Sequence, residues 1–239
     1  MSLALSNTDE VFVLTGAGIS AESGIATFRD ADGLWENHRI EDVATPEAFE
    51  ADPTLVWRFY GGRRAQAATV VPNPAHRALA ALEERLGDRF FLCTQNVDGL
   101  HEIAGSRRVL HMHGELDKTR CSSCDRAPFT DARADFSAGL PRCECGGLQR
   151  PHIVWFGEMP FELHQIKRRI QRASLFLCIG SSGVVYPAAG LVGEMAYRRS
   201  MGERVRSIYV GLEAPANAEQ FDELVLGKAG EVLPALLAA

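Results

Sequence analysis

A short run of β-formers, Val11-Phe-Val-Leu14, breaks into Gly16-Ala-Gly18 and continues as Ile-Ser-Ala-Glu-Ser-Gly-Ile-Ala-Thr-Phe-Arg-Asp30. An apolar run bounded by glycines reads as a buried strand entering a tight turn. The spacing Gly16-x-Gly18-x-x-Ala21 fits the dinucleotide fingerprint, whose glycines let the backbone approach a pyrophosphate at a helix N-terminus. Alone that spacing is a weak signal, because glycine turns after strands are common.

Two features separate this chain from an ordinary dehydrogenase. The fingerprint expects an Asp or Glu about 20 residues on, at the end of the next strand. Here the next convincing strand comes only at Arg89-Phe-Phe-Leu-Cys93. The polar stretch between, with Phe28-Arg-Asp30 and Gly33-Leu-Trp35, implies an insertion at the first crossover. Insertions beside a phosphate turn are usually functional.

The 239 residues allow one large domain, or a domain with a small module. A net charge of −6 argues against a nucleic-acid or anionic-membrane surface. No run of apolar residues is long enough to span a membrane. No basic-then-apolar leader precedes the first strand, so the expectation is a cytoplasmic protein. Four of the six cysteines cluster as Cys121-x-x-Cys124 and Cys143-x-Cys145. In a cytosolic chain that pattern reads as metal rather than disulfide. Cys93 and Cys178 lie inside apolar runs and read as small buried hydrophobes.

Further along, Thr54–Ala68 makes a helix weakened by Gly61-Gly62, and Ala75 to Leu86 recurs at helical spacing up to a stop at Gly87. Strands follow at Phe90–Thr94, Val109–Met112, Pro151–Phe156, Leu175–Ile179 and Val205–Val210. Helices are expected over Phe161–Ala173, Ala188–Arg199 and Glu231–Ala238, with a short one ending at Gly105. Strands alternating with helices imply a parallel sheet covered on both faces. Ligands of such sheets bind beyond the C-terminal strand ends. Gly16, Gln95, His113, Gly157 and Gly180 are all expected there.

Taken together, these motifs resemble the sirtuin family of NAD-dependent protein-lysine deacylases. The matching segments are GAGISAESGIATFRD (16–30), TQNVDGLH (94–101), HG (113–114), the four cysteines, VWFGE (154–158) and GSSGVVYPAA (180–189). The resemblance implies an α/β fold: a Rossmann-like parallel-sheet domain (1–33, 76–113 and 151–239) with a small domain (34–75 and 114–150). The small domain would hold a helical insertion and a zinc module.

The resemblance also assigns roles. Gly16, Ala17 and Gly18 would cradle the NAD pyrophosphate, with Ser20 and Glu22 nearby. Ala26, Phe28, Arg29 and Trp35 would belong to the region that closes over the nicotinamide ribose. Gln95, Asn96, Val97 and Asp98 would serve the ribose and carboxamide. Gly180, Ser181, Ser182, Leu212, Glu213 and Ala229 would serve the adenosine end. His113 would be the catalytic base, and His111 structural, only one of the two being expected at the site. Cys121, Cys124, Cys143 and Cys145 would hold a structural Zn2+. Val154, Phe156, Gly157 and Glu158 would receive an acylated-lysine peptide as an added strand opposite Val184-Val185.

Tyr60 and Arg63 resemble the Tyr-x-x-Arg of sirtuins that prefer succinyl and malonyl lysine, and Ala44 matches a small residue that widens the acyl pocket. Arg64 could serve in place of Arg63. The expected activity is desuccinylation, demalonylation and deacetylation, releasing nicotinamide and 2'-O-acyl-ADP-ribose from a monomer with no nucleic-acid or membrane partner. Rival readings are an NAD glycohydrolase or ADP-ribosyltransferase using the same pocket, or a non-catalytic NAD sensor. Two departures from the family stand out. Only Glu144 separates Cys143 from Cys145, and Gly211 stands where an Asn is usual.

Overall fold

A computed structural model describes residues 3–26, 34–35 and 38–238, the last with side chains throughout. In chain order the elements are β1 (Val11–Thr15), β2 (Leu34–Trp35), β3 (His38–Arg39), α1 (Ile40–Val43), α2 (Pro46–Ala51), α3 (Pro53–Ala67) and α4 (Pro74–Leu86). There follow β4 (Phe90–Thr94), α5 (Leu100–Ile103), β5 (Val109–His111), β6 (Gly114–Cys121), β7 (Phe129–Thr130) and β8 (Gln149–Ile153). The chain closes with α6 (Leu163–Arg172), β9 (Leu175–Ile179), α7 (Leu191–Ser200), β10 (Arg206–Gly211), β11 (Glu223–Leu226) and α8 (Ala229–Leu237).

Six strands form a parallel sheet in the order β11-β10-β9-β1-β4-β5. Every residue of β1 is buried, as a strand covered on both faces requires. Its side chains alternate between two cores. Val11 and Val13 pack with Leu79, Leu82 and Leu233 of α4 and α8. Phe12 and Leu14 pack with Ile166, Ile170, Val192 and Met195 of α6 and α7. Cys93 and Cys178 are buried free thiols in that second core. Asn73 caps α4 with Pro74 at its first position, and His76 completes a capping box.

From β1 the chain moves outward through β4 and β5, then crosses back to β9 and continues the other way. The order therefore reverses between β1 and β9, the switch point where open α/β sheets bind ligands. Thr15 pairs with both Thr94 and Ile179 in register. Gly16, Gln95 and Gly180 consequently leave the sheet at one level.

A third core lies apart from the sheet. Val56, Trp57 and Tyr60 of α3 pack with Leu116 of β6, Ile153 of β8 and Trp155. Helix α3 runs unbroken through Gly61 and Gly62. A Cβ on Gly61 would collide with the Ala134 carbonyl, whereas one on Gly62 would meet nothing within 4 Å. Gly61 is thus a packing requirement.

The strand expected at Pro151–Phe156 is corrected. Gln149–Ile153 pairs antiparallel with β6, in the small sheet β7-β6-β8, and does not join the parallel sheet. Gly157 therefore follows no strand of the main sheet. Strands β6 and β11 went unforeseen, because the polar pattern of GELDKTRC and the turn-rich flanks of ELVL mask their extended course. No helix among the described residues is long and apolar enough to cross a membrane.

Candidate functional site

Two glycine turns meet at the switch point. The N–H of Gly16 donates to Ile179 O and that of Gly18 to Gly180 O, both at 2.9 Å. A Cβ on Gly18 would stand 2.7 Å from Gly180 Cα, and one on Gly16 would stand 2.9 Å from Ser181 Cα. Gly180 itself sits at φ +61°, open to glycine at little cost. Ile19 and Ser20 N–H close back on Gly16 O and Ala17 O. Ala17 N–H stands outside this set of bonds, at the start of a short 3₁₀ turn. The two turns so joined pack backbone against backbone at the switch point, where open α/β sheets bind their ligands.

Side chains from β4's end close the next wall. Gln95 Nε2 donates to Ser181 Oγ (2.9 Å). Asn96 Nδ2 donates to Gly16 O (3.2 Å) and Ser20 Oγ (3.1 Å). Ser20 Oγ in turn donates to Asp98 Oδ2 (3.1 Å), whose other oxygen takes Leu100 N–H (3.1 Å). Burial holds the Asp98 carboxyl above its usual range, against the pull of those two donors. Val97 O accepts from Leu116 N–H (2.8 Å), tying this loop to β6.

His113 and His111 hang from adjacent carbonyls. His113 Nδ1 lies 3.1 Å from Gln95 O, and His111 Nδ1 lies 3.0 Å from Asn96 O. A carbonyl only accepts, so each Nδ1 carries a proton. His111 Nε2 also meets Glu102 Oε1 at 2.8 Å. Burial alone would lower its pKa, but Glu102 and the Asn96 carbonyl outweigh it and raise the pKa. His113 lacks a carboxylate partner among the described residues, and burial lowers its pKa despite the Gln95 bond. Glu102 thus favours the charged form of His111, while burial favours the neutral form of His113, whose lone pair then lies on Nε2. Strand β5 ends at His111, so the turn beyond it separates the two rings.

Beside His113 runs the segment 154–158. Val154 N–H donates to His113 O (2.9 Å) and Phe156 N–H to Ala44 O (3.0 Å). Phe156 is 44% exposed, and Gly157 turns the chain at φ +90°. Glu158 points inward to Arg150 and Arg120. Tyr60 is fully buried, and its hydroxyl accepts from Trp155 Nε1 at 3.0 Å. Burial holds its phenol far above the ordinary range, against the opposing pull of Trp155 and the charge on Arg63. Arg63 is buried as well. Arg64 is committed elsewhere: it donates to Leu116 O, Arg133 O, Lys118 O and Thr119 Oγ1, and pairs with Asp131. Of the two arginines, Arg64 fastens α3 to β6.

At the far end, Ser181 is buried and Ser182 O accepts from Ala216 N–H (2.9 Å). A Cβ on Gly211 would run into the Tyr209 hydroxyl, which donates to Ser181 O (3.2 Å). The tyrosine occupies the space an asparagine there would need. Leu212 is 65% exposed and Glu213 follows it. Glu22 Oε1 accepts from Gly230 N–H (2.9 Å), beside the buried Ala229 at the start of α8. Ala26 is half-buried. Phe28 and Arg29, and the side chain of Trp35, lie outside the described residues.

The four cysteines converge. Their sulfurs lie within 4.8 Å of one another, with Cys121–Cys145 at 3.5 Å and Cys124–Cys143 at 3.8 Å. Thiolates about 2.3 Å from a tetrahedral zinc stand about 3.8 Å apart. The donor set fits Zn2+. Gly146, at φ +87°, and Gly147 fold the tight second pair back, through Gly146 N–H to Cys143 O and Cys143 N–H to Gly147 O. Four thiolates leave no open coordination position, so the metal is structural.

Sequence reasoning missed the layer beneath the site. Thr15 Oγ1 donates to Thr94 Oγ1 (2.8 Å) and lies 3.0 Å from His101 Nε2, while Thr94 Oγ1 takes Asn96 N–H (3.0 Å). The signal was available: a Thr ends both β1 and β4, at the aligned ends of neighbouring strands. Trp155 and Tyr209 carried no such signal, since each is defined by the partner it meets.

The Sir2 family model matches residues 16–187. An NAD-dependent protein deacylase of Caulobacter vibrioides is 51% identical over 229 residues, covering 95% of this chain and 94% of that protein. The NAD-dependent protein deacylase SIR2rp3 of Trypanosoma brucei brucei is 49% identical, covering 94% and 92%. The crystal structure of a Sir2 homologue–NAD complex superposes with a TM-score of 0.85 at 41% identity, covering 97% of this chain and 92% of that one. With the glycine turns, the paired histidines and the four-cysteine cluster in that arrangement, the chain belongs to the Sir2 family.

Proposed function

We propose that this protein is an NAD-dependent protein-lysine deacylase, and that Tyr60 and Arg63 direct it toward succinyl and malonyl lysine with deacetylation as a second activity. The observation that carries the reading is His113: an imidazole whose Nδ1–H is fixed by the carbonyl of Gln95, the residue whose side chain meets Ser181 beside the packed turns of Gly16, Gly18 and Gly180. When bound there, NAD supplies the ribose carbon that loses nicotinamide, and ADP-ribose receives the acyl group.

The chain's own residues then have separable tasks. Ala17 N–H and the glycine turns receive the pyrophosphate. Gln95 and Asn96 serve the ribose and carboxamide, Asn96 through its amide oxygen, since its N–H groups go to Gly16 O and Ser20 Oγ. His113 takes a proton at Nε2, a role suited to a reference pKa of about 6.5. The segment 154–158 and the backbone near Val184 hold the peptide as an added strand. Closure over the cleft excludes water, without which a cationic centre would hydrolyse. Arg63 offers a bidentate fork to a distal carboxylate.

We place the protein in the cytoplasm, as a monomer. Cys93 and Cys178 are free thiols and the other four cysteines form a metal-type cluster, the usage expected of a reducing compartment.

The test measures nicotinamide release from NAD with and without acetyl-, succinyl- and malonyl-lysine peptides. Release that depends on acyl-peptide, with succinyl and malonyl preferred, is the expected result. Release without any acyl-lysine would turn the reading to a glycohydrolase or ADP-ribosyltransferase, and NAD binding without release to a sensor.

A further inference from the structure

Under that reading the acylated peptide docks along 154–158, and one side chain holds the turn at 155–158 in shape. Glu158 N–H donates to Trp155 O at 3.0 Å. The Glu158 carboxylate closes the same turn from the other side, Oε2 accepting from Trp155 N–H at 2.8 Å. Arg150 grips both oxygens, Nη1 to Oε1 at 2.6 Å and Nη2 to Oε2 at 2.9 Å. Arg120 Nη2 reaches Oε1 at 3.3 Å. A carboxylate has about four lone-pair sites, and these four donors fill them.

Both arginines come from the small antiparallel sheet, where Arg120 of β6 and Arg150 of β8 face each other in register. Arg150 is buried and also donates to Ile153 O (3.0 Å). Its guanidinium lies over the Trp155 ring, 3.3 Å from the centroid. The turn thus rests on a rigid platform, although it contains Gly157, the most permissive residue for backbone conformation.

We infer that Glu158 is a positioning residue for the peptide-docking segment and not a contact of the peptide. It transmits the fixed geometry of the Arg120–Arg150 pair to the backbone of residues 155–158. Its oxygens are already taken, so an incoming peptide N–H finds no acceptor there. What the carboxylate provides is a preformed edge, with the exposed Phe156 beside it. Pre-organisation of this kind lowers the ordering cost of binding. It acts on the peptide step alone, because none of these bonds touches the glycine turns or Gln95–Asp98.

This inference rests on the deacylase reading, and the experiment separates the two. Wild-type protein, Glu158→Gln, Glu158→Ala and Arg120→Gln are compared in steady state with an acyl-lysine peptide, varying peptide and NAD in turn. Glu158→Ala should raise KM for the peptide on the order of 10-fold, as expected when a network of charged hydrogen bonds is lost, with KM for NAD unchanged within about 2-fold. Glu158→Gln keeps an acceptor for Trp155 N–H and should fall between. Arg120→Gln removes the longer contacts to Glu158, at 3.3 and 3.5 Å, while Arg150 still grips both oxygens, and should give the smallest rise, so it decides the matter should Glu158→Ala fail to fold. An unchanged peptide KM, or equal rises in both KM values, overturns the inference. Absence of acyl-dependent nicotinamide release from the wild type would instead overturn the deacylase reading.

Discussion

The imidazole of His113 hangs by its Nδ1 from the carbonyl oxygen of Gln95, at 3.1 Å. That one bond fixes the proton on Nδ1 and leaves Nε2 as the acceptor, and the carbonyl belongs to a residue whose own amide reaches Ser181. His113→Ala removes the base and little packing. The expected outcome is a fall in kcat of roughly 10²–10⁴-fold with NAD affinity retained. Single-turnover deacylation with a parallel NAD titration measures both, and parental turnover would refute the assignment.

The pH profile follows from the same geometry. Burial lowers the His113 pKa below its ordinary value, so the neutral base is already present at neutral pH. The acid limb of kcat/KM should therefore have its midpoint below about 6.5. A midpoint above 7 would mean that another group controls the reaction.

Stability should titrate in the opposite sense to a surface histidine. Burial depresses the pKa of His76 to about 4, that of His152 to about 4, and that of His101 well below its ordinary value. A folded-state pKa below the unfolded one gives stability that is present above the unfolded pKa and lost as pH falls through the folded one. The window runs from about 6.5 down to about 4. The fully buried His76 should account for a loss on the order of 3 kcal/mol across it. His111, whose pKa is raised, has the reverse sign and loses its contribution as pH rises. Denaturant unfolding at several pH values checks this, and His76→Gln should flatten the acid side.

Much of this architecture was legible in the sequence because it repeats. Val11–Leu14, Phe90–Thr94 and Leu175–Ile179 are apolar runs that each end at a polar turn, and parallel strands buried on both faces have no other pattern. Strand β8 was not legible, since QRPHI looks the same whether it joins a parallel or an antiparallel sheet. In the structure it pairs antiparallel with β6, where Arg150 stands opposite Arg120 and both reach Glu158. Glu158, which the resemblance assigns to the peptide, has its carboxylate held by Trp155 N–H, Arg150 and Arg120, partners that no local sequence pattern announces. The tight Cys143-x-Cys145 pair reaches the cluster through the turn that Gly146 and Gly147 close on Cys143.

Metal and fold should be linked. Purified protein should carry about one zinc per chain, and chelation should unfold the β6–β8 sheet around it, because binding free energy at such sites is folding free energy. Cys121→Ser should lower the melting temperature and the zinc content together. Full stability in chelator would show that the cluster holds no metal that matters.

Two neighbouring glycines in α3 should behave oppositely. At Gly62 an added Cβ meets nothing, and replacing glycine by alanine inside a helix gains up to about 1 kcal/mol. At Gly61 the added Cβ would strike the Ala134 carbonyl, and overpacking costs about 1–3 kcal/mol. Gly62→Ala should therefore raise the melting temperature by roughly 2–4 °C and Gly61→Ala should lower it. Equal shifts of one sign would contradict the packing of α3 against residues 134–136.

Acyl preference provides the final prediction. Arg63 is buried beside Tyr60, and Arg64 is fastened to β6 by its bonds to Leu116, Lys118 and Thr119. Under the proposed function Arg63 meets the distal carboxylate, while Trp155 Nε1 holds the Tyr60 hydroxyl in place. Hydrogen bonds to charged groups contribute about 1.5–3 kcal/mol. Arg63→Met should accordingly cut kcat/KM for succinyl-lysine peptide by roughly 10- to 150-fold, and leave acetyl-lysine turnover far less affected, because only the succinyl group carries the charge. Tyr60→Phe should act in the same direction with a smaller loss, since a neutral donor contributes about 0.5–1.5 kcal/mol. Arg64→Met should instead lower stability, by freeing α3 from β6 and leaving the buried Asp131 without one of its partners. Equal losses of succinyl and acetyl turnover in Arg63→Met would remove the arginine from the acyl pocket.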